Sequence, residues 1–151
     1  MIALHHVGLT VRDLRASIDF YCKFVGCTVR SESLSDGDDL KTLTGIRDAS
    51  VAIADLDLPQ GGALELIQYL TPQSVPMKQE RSQPGHTHVS FLTNNIDAVY
   101  RQFVEHGIPP TSPPVEIVDP GTVWDGARAF YATDPDGRTI EFVTMRPSSR
   151  G

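Results

Sequence analysis

The 151-residue chain has 40% hydrophobic and 21% charged residues, the balance of an ordinary globular protein forming one compact domain or two half-sized modules sharing a core. Its net charge of −6 is spread without a basic run, which argues against nucleic acid as a partner. No signal peptide and no apolar run of membrane-spanning length is recognised, so we expect a cytoplasmic protein that does not enter a membrane. Cys22 and Cys27 match no metal or redox spacing and are expected to be buried free thiols.

The first series of predicted elements occupies residues 1–70. Alternation of apolar and polar residues predicts strands over residues 3–11, 27–34, 50–55 and 63–70. Helical spacing predicts a helix to about Val25, with Asp13 as its N-cap and Gly26 at its C-terminal end. Ser35–Asp39 is predicted to be a polar loop, and the segment that follows to Ile46 is ambiguous.

The second series occupies residues 85–147 and has the same order. Strands are predicted over residues 86–93, 115–118, 127–133 and 139–145, with a helix from about Asn95 to His106 that stops at Gly107. Residues 71–84 are rich in proline and polar residues, which predicts a linker without a strand or a long helix. Each module is therefore strand, helix and three strands, and the tail after Pro147 is expected to fray.

The two series are an internal repeat. When His88 is placed on His6, Val89 falls on Val7 and Phe91 on Leu9. The later segment 62–67 matches 137–143 with one residue inserted. The chain therefore contains two copies of one unit. Each copy has a histidine in its first predicted strand and a glutamate in its last.

Strand alternation places these histidines and glutamates on the sheet face that the helix does not cover. The residues are His6 and Glu65 in the first module and His88 and Glu141 in the second. Glutamates in apolar strands are costly to bury unless they are paired or coordinating, and imidazole with carboxylate suits a divalent first-row metal. The repeat therefore predicts a metal site with these four ligands.

Two other histidines lie beside the predicted ligands. His5 alternates onto the Val7 face, away from His6. His86 shares the face of His88, so it is an alternative ligand, a residue that supports a ligand, or an exposed residue at the strand end.

Two stretches at the start and the end of the chain are Leu4–Leu14, which reads LHHVGLTVRDL, and Phe130–Phe142, which reads FYATDPDGRTIEF. Both resemble the vicinal oxygen chelate superfamily, which contains glyoxalase I, methylmalonyl-CoA epimerase, extradiol dioxygenases, fosfomycin-resistance transferases and bleomycin-binding proteins. The resemblance covers nearly the whole chain. It implies an α+β fold in which two paired βαβββ modules form a cupped mixed sheet around a metal site. Its metal ligands fall on His6, Glu65, His88 and Glu141.

The resemblance also implies the activity. We expect a lyase, isomerase or epimerase that uses one divalent ion per site (Zn, Ni, Co, Mn or Fe) and moves a proton next to a metal-chelated carbonyl or enolate. Glu141 or Glu65 would serve as the catalytic base. The alternatives are an extradiol-type dioxygenase and a metal-free protein for small-molecule binding or resistance.

The expected partners are a small-molecule substrate and a second copy of the chain. The lining predicted for the site favours a small, partly apolar oxyanion or carbonyl compound, and no cluster of Lys or Arg indicates a phosphate-rich handle. Members of the superfamily often form homodimers, in which a site is built within one chain or across two. The sequence leaves both arrangements open.

Overall fold

The computed structural model describes residues 1–73, 75 and 80–146. Contacts divide the chain into two compact units, Met1–Lys78 and Gln79–Gly151. The first unit contains β1 (Val7–Thr10), α1 (Leu14–Phe24), β2 (Thr28–Ser35), α2 (Asp38–Thr44), β3 (Ser50–Asp57) and β4 (Ala63–Thr71). The second contains β5 (Val89–Leu92), α3 (Ile96–Glu105), β6 (Val115–Glu116), β7 (Arg128–Thr133) and β8 (Thr139–Thr144). The predicted α+β class with two βαβββ modules is confirmed.

Each unit forms one mixed sheet with the same strand order. The orders are β1-β4-β3-β2 and β5-β8-β7-β6. The opening strand of each unit runs parallel to its closing strand, and the remaining pairs are antiparallel. A parallel pair needs a crossover between its strands. In the first unit α1, β2, α2 and β3 supply it, and in the second unit α3, β6 and β7 do so.

The two long helices begin and end by the same means. The side chains of Asp13 and Asn95 accept a hydrogen bond from the backbone N–H three residues on, at 3.0 and 3.1 Å, which satisfies a donor that the helix leaves free. Gly26 and Gly107 follow the helix ends with φ of 80° and 70°, a backbone conformation that favours glycine. The predicted helix limits are therefore confirmed to within about one residue.

The helix of each unit packs on one face of its sheet. In the first unit Tyr21 of α1 is fully buried, as are Leu64 and Leu66 of β4. In the second, the ring of Phe103 on α3 lies 5.5 Å from that of Phe142 on β8. Residues that alternate with these along the closing strands point to the other face.

The strands that carry the histidines are shorter than predicted. β1 starts at Val7, where pairing with Leu64 begins, and β5 starts at Val89, where pairing with Ile140 begins. His6 and His88 therefore lie immediately before a strand. The alternation predicted for residues 3–6 does not apply there, and the prediction that His5 points away from His6 is wrong.

Other predicted limits also differ from the structure: β6 ends at Glu116 rather than at residue 118, and β3 continues to Asp57 rather than ending at residue 55. The predicted loop Ser35–Asp39 runs into α2, whose first turn contains Asp38 and Asp39; carboxylates there are favoured by the helix dipole. β4 continues to Thr71, the first residue of the predicted linker. The rest of the linker is only partly described, and residues 74, 76–79 and 147–151, including the predicted frayed tail, lie outside the described residues.

Both cysteines are free, but only Cys27 is buried, whereas Cys22 is half-buried. Burial raises the pKa of the Cys27 thiol to about 12, so this group stays protonated at neutral pH and is a poor nucleophile. In the part of the chain that the structure covers, no helix has the length and apolarity needed to cross a bilayer.

The turn before β8 is held by Asp134, which is 5% exposed. Its Oδ1 accepts hydrogen bonds from the backbone N–H groups of Asp136 and Arg138 at 3.0 and 2.8 Å. Its Oδ2 accepts one from the Arg138 guanidinium at 2.8 Å. One buried carboxylate therefore fixes where β8 starts.

We expect Asp134→Ala to lower the free energy of unfolding by about 2–4 kcal/mol, because it removes the acceptor of two backbone donors and of a buried ion pair. Urea denaturation followed by circular dichroism measures the change. Glu105→Ala, at the exposed end of α3, is the control and should change the value by less than about 0.5 kcal/mol. Equal losses in the two variants would show that the turn has no special role.

Candidate metal centre

The structure brings His6 and Glu65 together in the first unit. Glu65 lies on β4 opposite Gly8 of the parallel strand β1, and His6 precedes Gly8 by two residues. The distance from His6 Nε2 to Glu65 Oε2 is 3.4 Å. Because Gly8 has no side chain, the space beside the carboxylate stays open.

The second unit repeats this arrangement. Glu141 lies on β8 opposite Ser90 of the parallel strand β5, and His88 precedes Ser90 by two residues. The distance from His88 Nε2 to Glu141 Oε2 is 3.7 Å. A small residue thus stands beside the glutamate in both units, and a histidine nitrogen faces each carboxylate.

These N···O distances suit two atoms that share one metal ion. With bonds of about 2.0–2.2 Å to nitrogen and oxygen, neighbouring ligands lie about 3.4 Å apart in a tetrahedral site and about 3.0 Å apart in an octahedral one. The observed 3.4 and 3.7 Å fall at or just above that range. Each pair can supply two adjacent ligands without a change of strand register.

The exposed fractions of the four side chains show that the pairs are accessible. His6 and His88 are 38% and 40% exposed, whereas Glu65 and Glu141 are 26% and 12% exposed. An ion or a small molecule can reach the histidine nitrogens from solvent. The carboxylates are held deeper, against the sheet.

His5 contacts His6 directly, with an Nδ1···Nδ1 distance of 2.7 Å and ring planes at 82°. Only one of the two Nδ1 atoms can carry the hydrogen of this bond. If His6 is to offer the lone pair of Nε2 to a metal, its hydrogen must sit on Nδ1 and be donated to His5. His5 is therefore placed to select the ligating tautomer of His6.

Two polar residues that the sequence pattern did not predict lie opposite the glutamates. Asp55 of β3 pairs with Glu65 and accepts a hydrogen bond from the Ser31 hydroxyl at 2.6 Å. Tyr131 of β7 pairs with Glu141, and its ring lies 5.5 Å from that of His88. Directly opposed residues share a face, but the cross-strand register that identifies them was not part of the sequence prediction.

The structure also shows which residue His86 contacts, a point that the sequence left open. His86 Nε2 lies 3.3 Å from the hydroxyl of Thr139, the first residue of β8. It does not contact Glu141 among the described hydrogen bonds and ion pairs. His86 is half-buried rather than exposed.

Over residues 1–73, 75 and 80–146, no group of three or more His, Cys, Asp or Glu side chains is arranged to hold a metal ion. The structure shows one His–Glu pair within each unit. The assignment of all four residues to a single ion stays a prediction.

The first unit also contains a cavity of about 290 Å³, which does not include the His–Glu pair. Its lining comprises Val11, Arg12, Gln68, Tyr69, Leu70 and Gln73. Tyr69 lies four residues beyond Glu65, which along a strand is about 13 Å. A small molecule in this cavity would not reach the carboxylate.

Comparison with known proteins finds similarity in sequence and fold over most of the length of this chain. A family model described as the Glyoxalase/Bleomycin resistance protein/Dioxygenase superfamily matches residues 3–142. The chain is 27% identical over 152 residues to 2-epi-5-epi-valiolone epimerase from Actinomyces sp, a match that covers 95% of this chain and 80% of that protein.

Two solved structures show the same fold. A glyoxalase family protein from Bacillus cereus superposes with a TM-score of 0.82 at 20% identity, covering 96% of this chain and 95% of that one. The fosfomycin resistance protein FosX from Listeria monocytogenes, solved with Mn(II) and sulfate, gives a TM-score of 0.64 at 16% identity over 99% and 98%. With the family match over residues 3–142, the chain belongs to the Glyoxalase/Bleomycin resistance protein/Dioxygenase superfamily.

Proposed function

We propose that this protein is a metal-dependent isomerase, epimerase or lyase that moves a proton next to a carbonyl group of a small molecule. The observation that carries the proposal is the pair of His–Glu contacts at 3.4 and 3.7 Å, repeated at equivalent positions of the two units. A structural ion pair would explain one such contact. Its repetition beside a small residue in both sheets favours a shared function.

His6, Glu65, His88 and Glu141 are the proposed ligands of one divalent ion, which would be Zn, Ni, Co, Mn or Fe. Two imidazoles and two carboxylates are a donor set that such ions accept. An ion held by these residues would act as a Lewis acid that polarises a carbonyl oxygen. Each unit contributes one histidine nitrogen and one carboxylate to the set.

The proton transfer is assigned to the glutamates. A carboxylate beside a polarised carbonyl can take a proton from the adjacent carbon and return it to the same or a neighbouring atom. Glu141 is the less exposed of the two at 12%, and Tyr131 and Ser90 flank it across the sheet. Glu141 is therefore the first candidate for the base and Glu65 the second.

The relatives support this class of reaction. The Actinomyces relative is an epimerase, and the Listeria protein of the same fold was solved with Mn(II). The family description also includes dioxygenases and bleomycin resistance proteins. An extradiol-type dioxygenase and a metal-free binding protein are therefore the competing functions that the experiments must separate.

The purified protein should bind about one divalent ion per site, and both His88→Ala and Glu141→Ala should abolish that occupancy, since each removes a ligand. Elemental analysis after dialysis against each metal measures the ratio. His106→Ala, at the end of α3, and Glu116→Ala, on β6, change the same residue types elsewhere and should leave it intact. Full occupancy in the His88 or Glu141 variant would remove that residue from the ligand set.

We also propose that the protein is a homodimer, and the same variants show whether one chain or two supply a site. The variants His6→Ala/Glu65→Ala and His88→Ala/Glu141→Ala should each lose the ion. Mixed dimers of the two regain half of the sites only if each site takes its ligands from both chains. Light scattering gives the oligomeric state of every sample.

The variant His5→Phe should weaken metal binding about 10- to 100-fold, because the partner that selects the ligating tautomer of His6 is lost. Competition with a fluorescent chelator measures the affinity. The variant should still reach full occupancy at high metal concentration and unfold at the same urea midpoint. An unchanged affinity would show that His5 does not position His6.

Solvent-deuterium exchange tests the reaction itself. The metal-loaded protein should incorporate deuterium next to the carbonyl of one or more small hydroxyketones or 2-oxo acids, observed by proton NMR. Glu141→Gln keeps an oxygen donor but cannot take a proton, so exchange should fall by about 10²–10⁴-fold. Oxygen uptake with catechols and ferrous iron, without exchange, would instead establish the dioxygenase function.

A further inference from the structure

Arg81 lies on the same sheet face as Glu141 and His88. Its guanidinium carbon is 5.5 Å from the ring centroid of Tyr131, the residue that pairs with Glu141 across β7 and β8. The Tyr131 ring is in turn 5.5 Å from the His88 ring. A cation is therefore placed beside the candidate metal centre by the second unit alone.

Two hydroxyl groups fix the orientation of this guanidinium. Arg81 Nε donates to Thr139 Oγ1 at 3.2 Å, and Nη2 donates to Thr111 Oγ1 at 3.0 Å. Thr139 is buried, and its hydroxyl also contacts His86 Nε2 at 3.3 Å. Thr111 is held by its own backbone N–H, which donates to the Tyr131 carbonyl at 2.8 Å.

The charge of Arg81 is not neutralised by these contacts. Among the described residues, no carboxylate lies within ion-pair distance of Arg81, whereas Arg15, Arg30, Arg128 and Arg138 each contact one. Its two hydrogen bonds go to neutral hydroxyls. Since a guanidinium has five N–H donors, its Nη1 group and one Nη2 hydrogen remain for another acceptor.

The distance along β8 determines how long a molecule must be to contact both Arg81 and Glu141. Thr139, which anchors Arg81, precedes Glu141 by two residues, which is about 7 Å along a strand. A molecule with its reacting oxygen near Glu141 and a carboxylate a few bonds away would span this distance. Planar carboxylates match the fork of a guanidinium, which binds them through two parallel hydrogen bonds.

We infer that Arg81 is a substrate-binding residue and that the substrate is a small carboxylic acid. This inference rests on the proposed function, because the reacting end of the substrate is placed by Glu141 and His88. Arg81 binds the carboxylate at the other end. The Tyr131 ring and the two threonine hydroxyls hold the guanidinium ready before the substrate arrives, which reduces the entropy lost on binding.

A matched pair of probes tests the role of Arg81. Acetohydroxamate and succinic acid monohydroxamate present the same chelating oxygens, but only the second carries a carboxylate. Calorimetry on the Mn²⁺-loaded protein should show about tenfold tighter binding of the second probe, the effect of one charge-assisted contact. Arg81→Gln should abolish this preference and leave both metal occupancy and the affinity for acetohydroxamate unchanged.

Arg101→Gln is the control for loss of a positive charge. Arg101 is an exposed residue of α3, on the helix-covered side of the second sheet, and this variant should keep the full preference. Equal binding of the two probes by the wild type, or an unchanged preference in Arg81→Gln, overturns the inference. So does a loss of metal from Arg81→Gln, because Arg81 would then support the ligands rather than bind substrate.

A metal-free titration separates failure of the inference from failure of the proposed function. Succinate added to ¹⁵N-labelled apo-protein should shift the Nε–H resonance of Arg81, assigned by its absence in Arg81→Gln, and leave that of Arg101 in place. This shift in a protein that takes up no metal would support the carboxylate site and reject the proposed metal-dependent reaction. No shift up to saturating succinate rejects the carboxylate site.

Discussion

Both His–Glu pairs depend on one constraint, the parallel pairing of the opening and closing strands of each unit. It sets Gly8 opposite Glu65 and Ser90 opposite Glu141. With the register fixed, a histidine two residues upstream faces the glutamate, and a shift of one residue would turn the carboxylate toward the helix. The buried apolar residues beside each glutamate oppose such a shift, because it would expose them and bury a charge.

Those features of the fold that follow a periodic pattern could be predicted from the sequence. The repeat and the strand alternation identified both sheets, both long helices and the four residues His6, Glu65, His88 and Glu141, and each histidine does face its own glutamate. The two strands after the histidines were predicted to start too early, because the alternation of apolar and polar residues continues beyond the first pair of the ladder. At His5 this produced a wrong orientation, since the backbone there is not held in a strand.

Other features depend on contacts that a periodic pattern does not contain. Asp55 and Tyr131 take their places from the pairing of neighbouring strands. Arg81 comes from a stretch predicted to be only a linker, and its position depends on hydroxyls 30 and 58 residues further along the chain. The two units have also diverged at equivalent positions, with an acid beside Glu65 and a phenol beside Glu141. A repeat therefore predicts what its copies share and gives no information on how they differ.

The bare backbone at Gly8 has a consequence for redesign of the protein. A methyl group added there would lie 3.6 Å from Glu65 Oε2 and 3.9 Å from Ile67 Cδ1, which are ordinary van der Waals distances. Gly8 has no positive φ, so an alanine meets no backbone strain. Position 8 therefore allows the space beside Glu65 to be reduced in graded steps, with alanine, serine and larger residues, while every proposed ligand is retained. Libraries that seek to narrow or alter the range of accepted molecules would begin at this position.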